Sequence, residues 1–346
     1  MRFLFFLALL VAAGVAYVFF TLRAFNHFDT VERSFAGKCE PVNGLPGPED
    51  IQVDEKGERA FISSLDRSKS EARGSVHVFA INDPLDADGW RDRTGGVPED
   101  FRPLGLYYYT DESYSRLFVV NDANSAVELF DVAENGDLTH LRTMTERRMT
   151  SPNDVVAVGP TSFFVSNDIQ AGRSGSVGTF LFLTRAAAGS ILYSDGSAWR
   201  VAAEGLHFAN GVAVSPDQNT LYVAETLGGA VQIFDRPGGG RLQNVGAFRV
   251  GEASPDNINV DESGHLWVGA IPKILSMLSL RSGGDATAPS QIIRIDPFAG
   301  TMDPIYRDDG GEISGATSAA RLGDKLLIGA VYGETFLICD LANNAD

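Results

Sequence analysis

Apolar and polar positions alternate in short runs along this chain, and the runs come in pairs joined by tight polar turns. The pair recurs six times. It is seen in Glu49-Asp50-Ile51-Gln52-Val53 with Ala60-Phe61-Ile62, in Leu104-Gly105-Leu106 with Leu117-Phe118-Val119, and in Asn153-Asp154-Val155 with Phe163-Phe164-Val165. It returns in Asn210-Gly211-Val212 with Leu221-Tyr222-Val223, in Asp256-Asn257-Ile258 with Leu266-Trp267-Val268, and in Ala316-Thr317-Ser318 with Leu326-Leu327-Ile328. A period of two marks strands. Repeat starts roughly 47–60 residues apart, with strand pairs inside, mark blades of a propeller rather than turns of a helical solenoid. The expected fold is all-β, a six-bladed β-propeller. Acidic residues between paired runs, such as Asp54, Asp111, Asp217 and Asp261, read as turn formers, because Asp and Asn bond to their own backbone and tolerate turn geometry.

Two kinds of segment break the pattern. Phe3 to Leu22 is apolar and uncharged between Arg2 and Arg23, long enough to cross a bilayer core. Its length favours an uncleaved signal-anchor helix, with the propeller on the extracytoplasmic side; the small residues Ala12 to Ala16 leave a cleaved signal peptide, and a secreted protein, as the alternative. Val177 to Leu183 and Ile274 to Leu280 have helix-like spacing and are expected to lie over one face of the propeller, as pocket walls, membrane contacts or packed surface helices. The organisation expected is residues 1–23 as the anchor, 24–38 as a connector, 39–341 as the propeller and 342–346 as a tail.

Charge narrows the partners. With 28 Lys and Arg against 45 Asp and Glu, the net charge of -17 repels nucleic acid and attracts cations. The two cysteines, Cys39 and Cys339, stand at the two ends of the repeat region, which a closed propeller makes neighbours. A disulfide between them would close the ring and fits an exported domain; two buried thiols are the alternative.

The blade starts carry the candidate chemistry. Glu49, Asn153, Asn210, Asp256 and Asn257 place carboxylate or carboxamide oxygens at matching phase in four repeats, and equivalent positions of a propeller converge on its axis. A mixed oxygen set with no cysteine and no clustered histidine suits calcium better than zinc. The alternative is that each oxygen satisfies backbone groups in its own blade. No Gly-x-Ser-x-Gly elbow, His-Glu-x-x-His or P-loop motif is present, so a serine nucleophile, a zinc protease and a nucleotide-hydrolysing P-loop have no support.

Several phrases are more specific. Gly47-Pro48-Glu49-Asp50, Ser151-Pro152-Asn153-Asp154-Val155, Phe208-Ala209-Asn210-Gly211, Asp256-Asn257-Ile258 and Leu266-Trp267-Val268-Gly269 resemble the serum paraoxonase/arylesterase family, from about Cys39 to Cys339. The resemblance implies a propeller with two calcium ions in its central tunnel that hydrolyses lactones and aryl or carboxylic esters. It implies a catalytic calcium on Glu49, Asn153, Asn210, Asp256 and Asn257, and a structural calcium on Asp50, Asp154 and the backbone carbonyl of Leu106. It also exposes a departure. The family's histidine dyad falls on Leu104 and Asp122, and two further tunnel-mouth histidines fall on Ile169 and Ile271. Glu49, Asp256 and Asp122 are then the candidate bases, with His207 as a substitute, and Leu104, Ile169, Phe208, Ile271 and Val331 are the expected pocket walls for a small hydrophobic ester or lactone. The alternatives are a calcium-stabilised binding or scaffold propeller without catalysis, and a propeller enzyme of the gluconolactonase or strictosidine-synthase-like kind.

Overall fold

In the computed structural model, which describes residues 2–80, 92–173, 175–251, 253–281 and 287–342, each paired run forms the inner two strands of one blade. Blade 1 is built on Pro48–Asp54, Arg59–Ser64 and Ser75–Ala80, and blade 2 on Pro103–Thr110, Ser115–Asn121, Ala126–Val132 and Leu138–Thr145. Blade 3 comprises Pro152–Ala157, Phe163–Asn167, Gly189–Ser194 and Trp199–Leu206; blade 4 comprises Ala209–Val214, Thr220–Glu225, Ala230–Gly238 and Arg241–Arg249. Blade 5 comprises Ser254–Val260, Leu266–Ile271, Ser290–Asp296 and Thr301–Asp308. Blade 6 takes three strands from the C-terminal end (Ala316–Leu322, Lys325–Ala330, Thr335–Asp340) and its fourth, Lys38–Asn43, from the other end of the chain. Cys39 stands directly opposite Cys339 in that last pairing, and the two form a disulfide that closes the ring.

Alternating side chains leave each blade apolar on both faces, so the core is divided among the blade interfaces. Phe118 and Val120 of blade 2 meet Val155 and Phe163 of blade 3; Ile51 and Ile62 of blade 1 meet Leu327 and Phe336 of blade 6. The other interfaces repeat this arrangement.

One irregularity, repeated in all six blades, decides where the site lies. At its start the inner strand slips by a residue against its neighbour. Pro48 faces Ser64, but Ile51 faces Ile62; Pro152 faces Asn167, but Val155 faces Val165. The same slip occurs at Pro103/Leu106, Ala209/Val212, Pro255/Ile258 and Ala316/Ser318. Bulges re-aim side chains and terminate pairing. Here they release 49–50, 153–154, 210–211 and 256–257 from the ladder.

Among the described residues the remaining apolar segments form three helices, α1 (Arg2–Ala24), α2 (Gly175–Leu183) and α3 (Ile274–Arg281). Phe5–Arg23 of α1 is long and apolar enough to cross a membrane, and none of it is buried in the protein. Its end is nevertheless tied to the propeller. Phe25 is buried with its ring 6.5 Å from that of Phe182, and the Tyr17 hydroxyl donates to the Leu183 carbonyl at 3.2 Å. The connector is docked as well: Ser34–Phe35 pairs with the outer strand of blade 5, and Arg33 meets Asp308 at 3.2 Å. Of the expected tail, residues 343–346 lie outside the described residues.

Candidate active site

Glu49, Asn153, Asn210, Asp256 and Asn257 are all buried, on the inner strands of blades 1, 3, 4 and 5. Their hydrogen bonds are one-sided. Asn257 donates its amide to Glu49 Oε1 at 3.0 Å, Asn153 to Asp168 Oδ2 at 3.3 Å, and Asn210 to the Thr226 hydroxyl at 3.0 Å. With each NH2 so committed, Oδ1 of Asn153, Asn210 and Asn257 and Oε2 of Glu49 are buried without any hydrogen-bond partner. A buried acceptor left unsatisfied costs about 1–3 kcal/mol, so four in one place call for an explanation.

Asp50 and Asp154 act differently, and alike. The Asp50 carboxylate accepts the amides of Ile51 at 2.9 Å and of Leu106, in blade 2, at 2.9 Å. The Asp154 carboxylate accepts those of Val155 at 2.7 Å and of Val212, in blade 4, at 2.8 Å. Their own amides donate to Ser63 and Ser166 across the respective hairpins. Each thus staples its blade to the next. Gly105 permits this closeness: a Cβ there would stand 2.2 Å from Asp154 Oδ1.

The carboxylates also feel one another. Burial raises the pKa of Glu49, Asp50, Asp154 and Asp256 above the usual carboxylate range. Glu49 raises Asp50 and Asp256 further, and Asp50 raises Asp154. Among the described residues no three His, Cys, Asp or Glu side chains form a metal cluster by themselves; the unsatisfied oxygens are mostly carboxamides.

At the mouth, Phe208, Ile271 and Val331 join one apolar cluster with Phe25, Phe182 and Met277. Leu104 packs elsewhere, in the core between blades 2 and 3, and Ile169 is buried beside Asp168. Asp122 is exposed and paired with Arg173 Nη1 at 2.7 Å. The same guanidinium binds Asp168, which is fully buried, and the Pro152 carbonyl. Arg67 is half-buried, donating Nη2 to the Pro103 carbonyl at 3.0 Å. His207 turns away: its Nδ1 lies 2.7 Å from the Arg185 carbonyl.

The family model described as Arylesterase matches residues 45–341. The chain belongs to the arylesterase family. It is 32% identical over 321 residues to human serum paraoxonase/arylesterase 1, covering 88% of each chain. It is 27% identical over 352 residues to rabbit serum paraoxonase/lactonase 3, covering 96% of this chain and 98% of the relative. Among solved structures, the calcium-binding protein regucalcin from Agrobacterium tumefaciens shares the fold, with a TM-score of 0.53 at 16% identity over 87% of this chain and 93% of that one.

Arg67 holds the carbonyl that precedes Leu104, and Arg173 holds Asp122. Arg67, Arg173, Asp168 and Thr226 escape a reading of strand starts because they lie in loops or at strand ends. Asp168 alone left a trace, as the Asp of an Asn-Asp pair that repeats Asn121-Asp122 one blade later.

Proposed function

We propose that the chain is a calcium-dependent hydrolase of lactones and aryl or carboxylic esters, held at a membrane by α1 with its propeller on the extracytoplasmic side. The observation that carries this reading is the set of four buried, unpartnered oxygens, of Glu49, Asn153, Asn210 and Asn257. Oxygen donors of mixed charge, oriented by hydrogen bonds on their other atoms, fit a hard cation with irregular coordination. Glu49, Asn153, Asn210, Asp256 and Asn257 would hold one calcium, and Asp50, Asp154 and the Leu106 carbonyl a second. The names of the relatives, paraoxonase/arylesterase and paraoxonase/lactonase, support the reaction class. The disulfide and the apolar helix support the location.

When bound, calcium supplies charge for polarising the ester carbonyl and stabilising its oxyanion. The chain's own part is positioning. Asn257, Asn153 and Asn210 are held by Glu49, Asp168 and Thr226, so their oxygens need little reorganisation. Phe208, Ile271 and Val331 receive the apolar part of the substrate and exclude water. Of the three carboxylates considered as bases, Asp122 is engaged by Arg173, which leaves Glu49 and Asp256 better placed to take a proton from water.

Purified protein should hydrolyse lactones or phenyl esters, lose that activity on chelation, and regain it on adding calcium. Turnover that survives exhaustive chelation would sink the mechanism. Calcium binding without turnover of any ester or lactone would leave a binding propeller.

A further inference from the structure

Arg67 and Arg173 come from different loops and meet the carbonyl just before Leu104 and the side chain of Asp122, the two residues on which the family resemblance places histidines. Arg67 lies in the loop between the second and third strands of blade 1. Its Nη2 holds the carbonyl of Pro103, in the peptide that leads into Leu104. Arg173, just before α2, holds Asp122. A guanidinium does not deprotonate in proteins, so neither can replace an imidazole as base. What it does supply is a rigid fork of donors matched to a carboxylate.

The two are not equivalent. Arg173 is matched by two carboxylates, Asp122 and Asp168. Arg67 has no carboxylate within ion-pair distance among the described residues, and its Nη1 is buried with no acceptor. That nitrogen sits against Gly47, where an added Cβ would come within 3.2 Å of it, two residues before Glu49. Glu49 is the carboxylate whose charge Arg67 feels most, but two calcium ions would balance Glu49, Asp50, Asp154 and Asp256 and so take up that charge. One positive charge with a free donor is therefore left beside Gly47 and the Val331 carbonyl, and Val331 belongs to the apolar cluster of Phe208 and Ile271.

We infer that Arg67 is a substrate-binding residue that pairs with a carboxylate on the substrate, so the preferred ester or lactone is anionic, with an apolar body and a free carboxylate, rather than a neutral aryl ester. This rests on the hydrolase reading above for the word substrate, but the recognition itself is testable without turnover.

Binding of phenylacetate and of its neutral counterpart 2-phenylethanol to the calcium-loaded full chain would be measured by calorimetry. The wild type should prefer phenylacetate by about tenfold or more, and Arg67→Leu should remove that preference, a change of about 1.4 kcal/mol per factor of ten. Arg67→Lys should retain part of it as a point charge. In kinetics on one lactone bearing either a carboxylate or its carboxamide, Arg67→Leu should raise KM for the carboxylate at least about tenfold more than for the carboxamide, with kcat little separated. Equal effects on both substrates, or phenylacetate binding insensitive to Arg67→Leu, would overturn the assignment. Should Arg67→Leu fail to fold, Arg67→Gln and Arg67→Lys carry the same comparison. If no ester is turned over, the hydrolase reading falls, and the phenylacetate comparison still decides Arg67.

Discussion

Asn257 donates its side-chain amide to Glu49 at 3.0 Å across 208 positions of sequence, and each residue keeps one buried oxygen that no donor reaches. The bond joins blade 5 to blade 1 across the tunnel. It also fixes which end of Asn257 faces Glu49, because only the NH2 can donate.

Asn257→Ala should therefore do two things. It removes one candidate calcium oxygen and strips Glu49 of its donor, so calcium affinity should fall by about tenfold or more, with hydrolysis falling in parallel. Asn257→Asp keeps an oxygen but replaces the donor with a charge that repels Glu49, so its metal-free form should melt lower than the wild type while calcium restores much of the difference. Calcium titration by calorimetry with thermal melts separates these outcomes. Unchanged calcium binding in Asn257→Ala would remove this residue from the site.

The pH dependence of the calcium-free protein has a definite sign. Glu49, Asp50, Asp154 and Asp256 have folded pKa values above their unfolded ones, through burial first and, for the three aspartates, repulsion by neighbouring carboxylates second, with Asp50 raised to about 8. Between about pH 4, where unfolded carboxylates titrate, and these raised values, the folded state holds protons that the unfolded state has lost. Stability is then greatest on the acid side of that window and declines as pH rises through it. In chelator the melting temperature should fall from about pH 5 to about pH 8, and calcium, by supplying the missing positive charge, should flatten the slope. A chelated protein whose melting temperature rises with pH over that interval would contradict the clustering of these acids.

Arg173 is a second electrostatic keystone, and its partner Asp168 is wholly buried. Arg173→Met leaves that carboxylate without its counter-ion, and breaking a buried pair from one side costs about 3–5 kcal/mol. The double change Arg173→Met with Asp168→Asn should recover most of the loss, because no uncompensated charge remains. Denaturant titrations of the two variants test this. Equal destabilisation in the single and double variants would mean that Arg173 acts through packing alone.

How far the sequence discloses the site follows from where each residue sits. The inner-strand starts are legible because the period of two breaks at the bulges, so Glu49-Asp50, Asn153-Asp154 and Asp256-Asn257 stand out as polar pairs opening apolar strands. The cysteines are legible because ring closure brings the ends together. Arg67 and Arg173 are not, since loops carry no periodicity and a guanidinium reaches several ångströms from its backbone. Leu104 shares the phase of Glu49 but is apolar, and it packs in the core between blades 2 and 3.

The junction between α1 and the propeller gives a last test. Phe25 follows the apolar helix α1 immediately but packs in the cluster of Phe208 and Ile271, with its ring facing Phe182, whose own ring lies 5.7 Å from that of Phe208. Arg185 lies over the Phe25 ring at 6.0 Å. A chain beginning at Phe25 should thus be released from the membrane yet keep its apolar wall, its disulfide and its calcium affinity. A chain beginning at Asp29 loses the buried ring, worth about 1.5–3 kcal/mol, and uncovers Phe182 and Phe208. It should melt lower, and its KM for apolar esters should change more than its calcium affinity. Comparing the two truncations by sedimentation, melting and ester kinetics separates anchoring from shaping of the pocket: identical kinetics would confine this junction to anchoring.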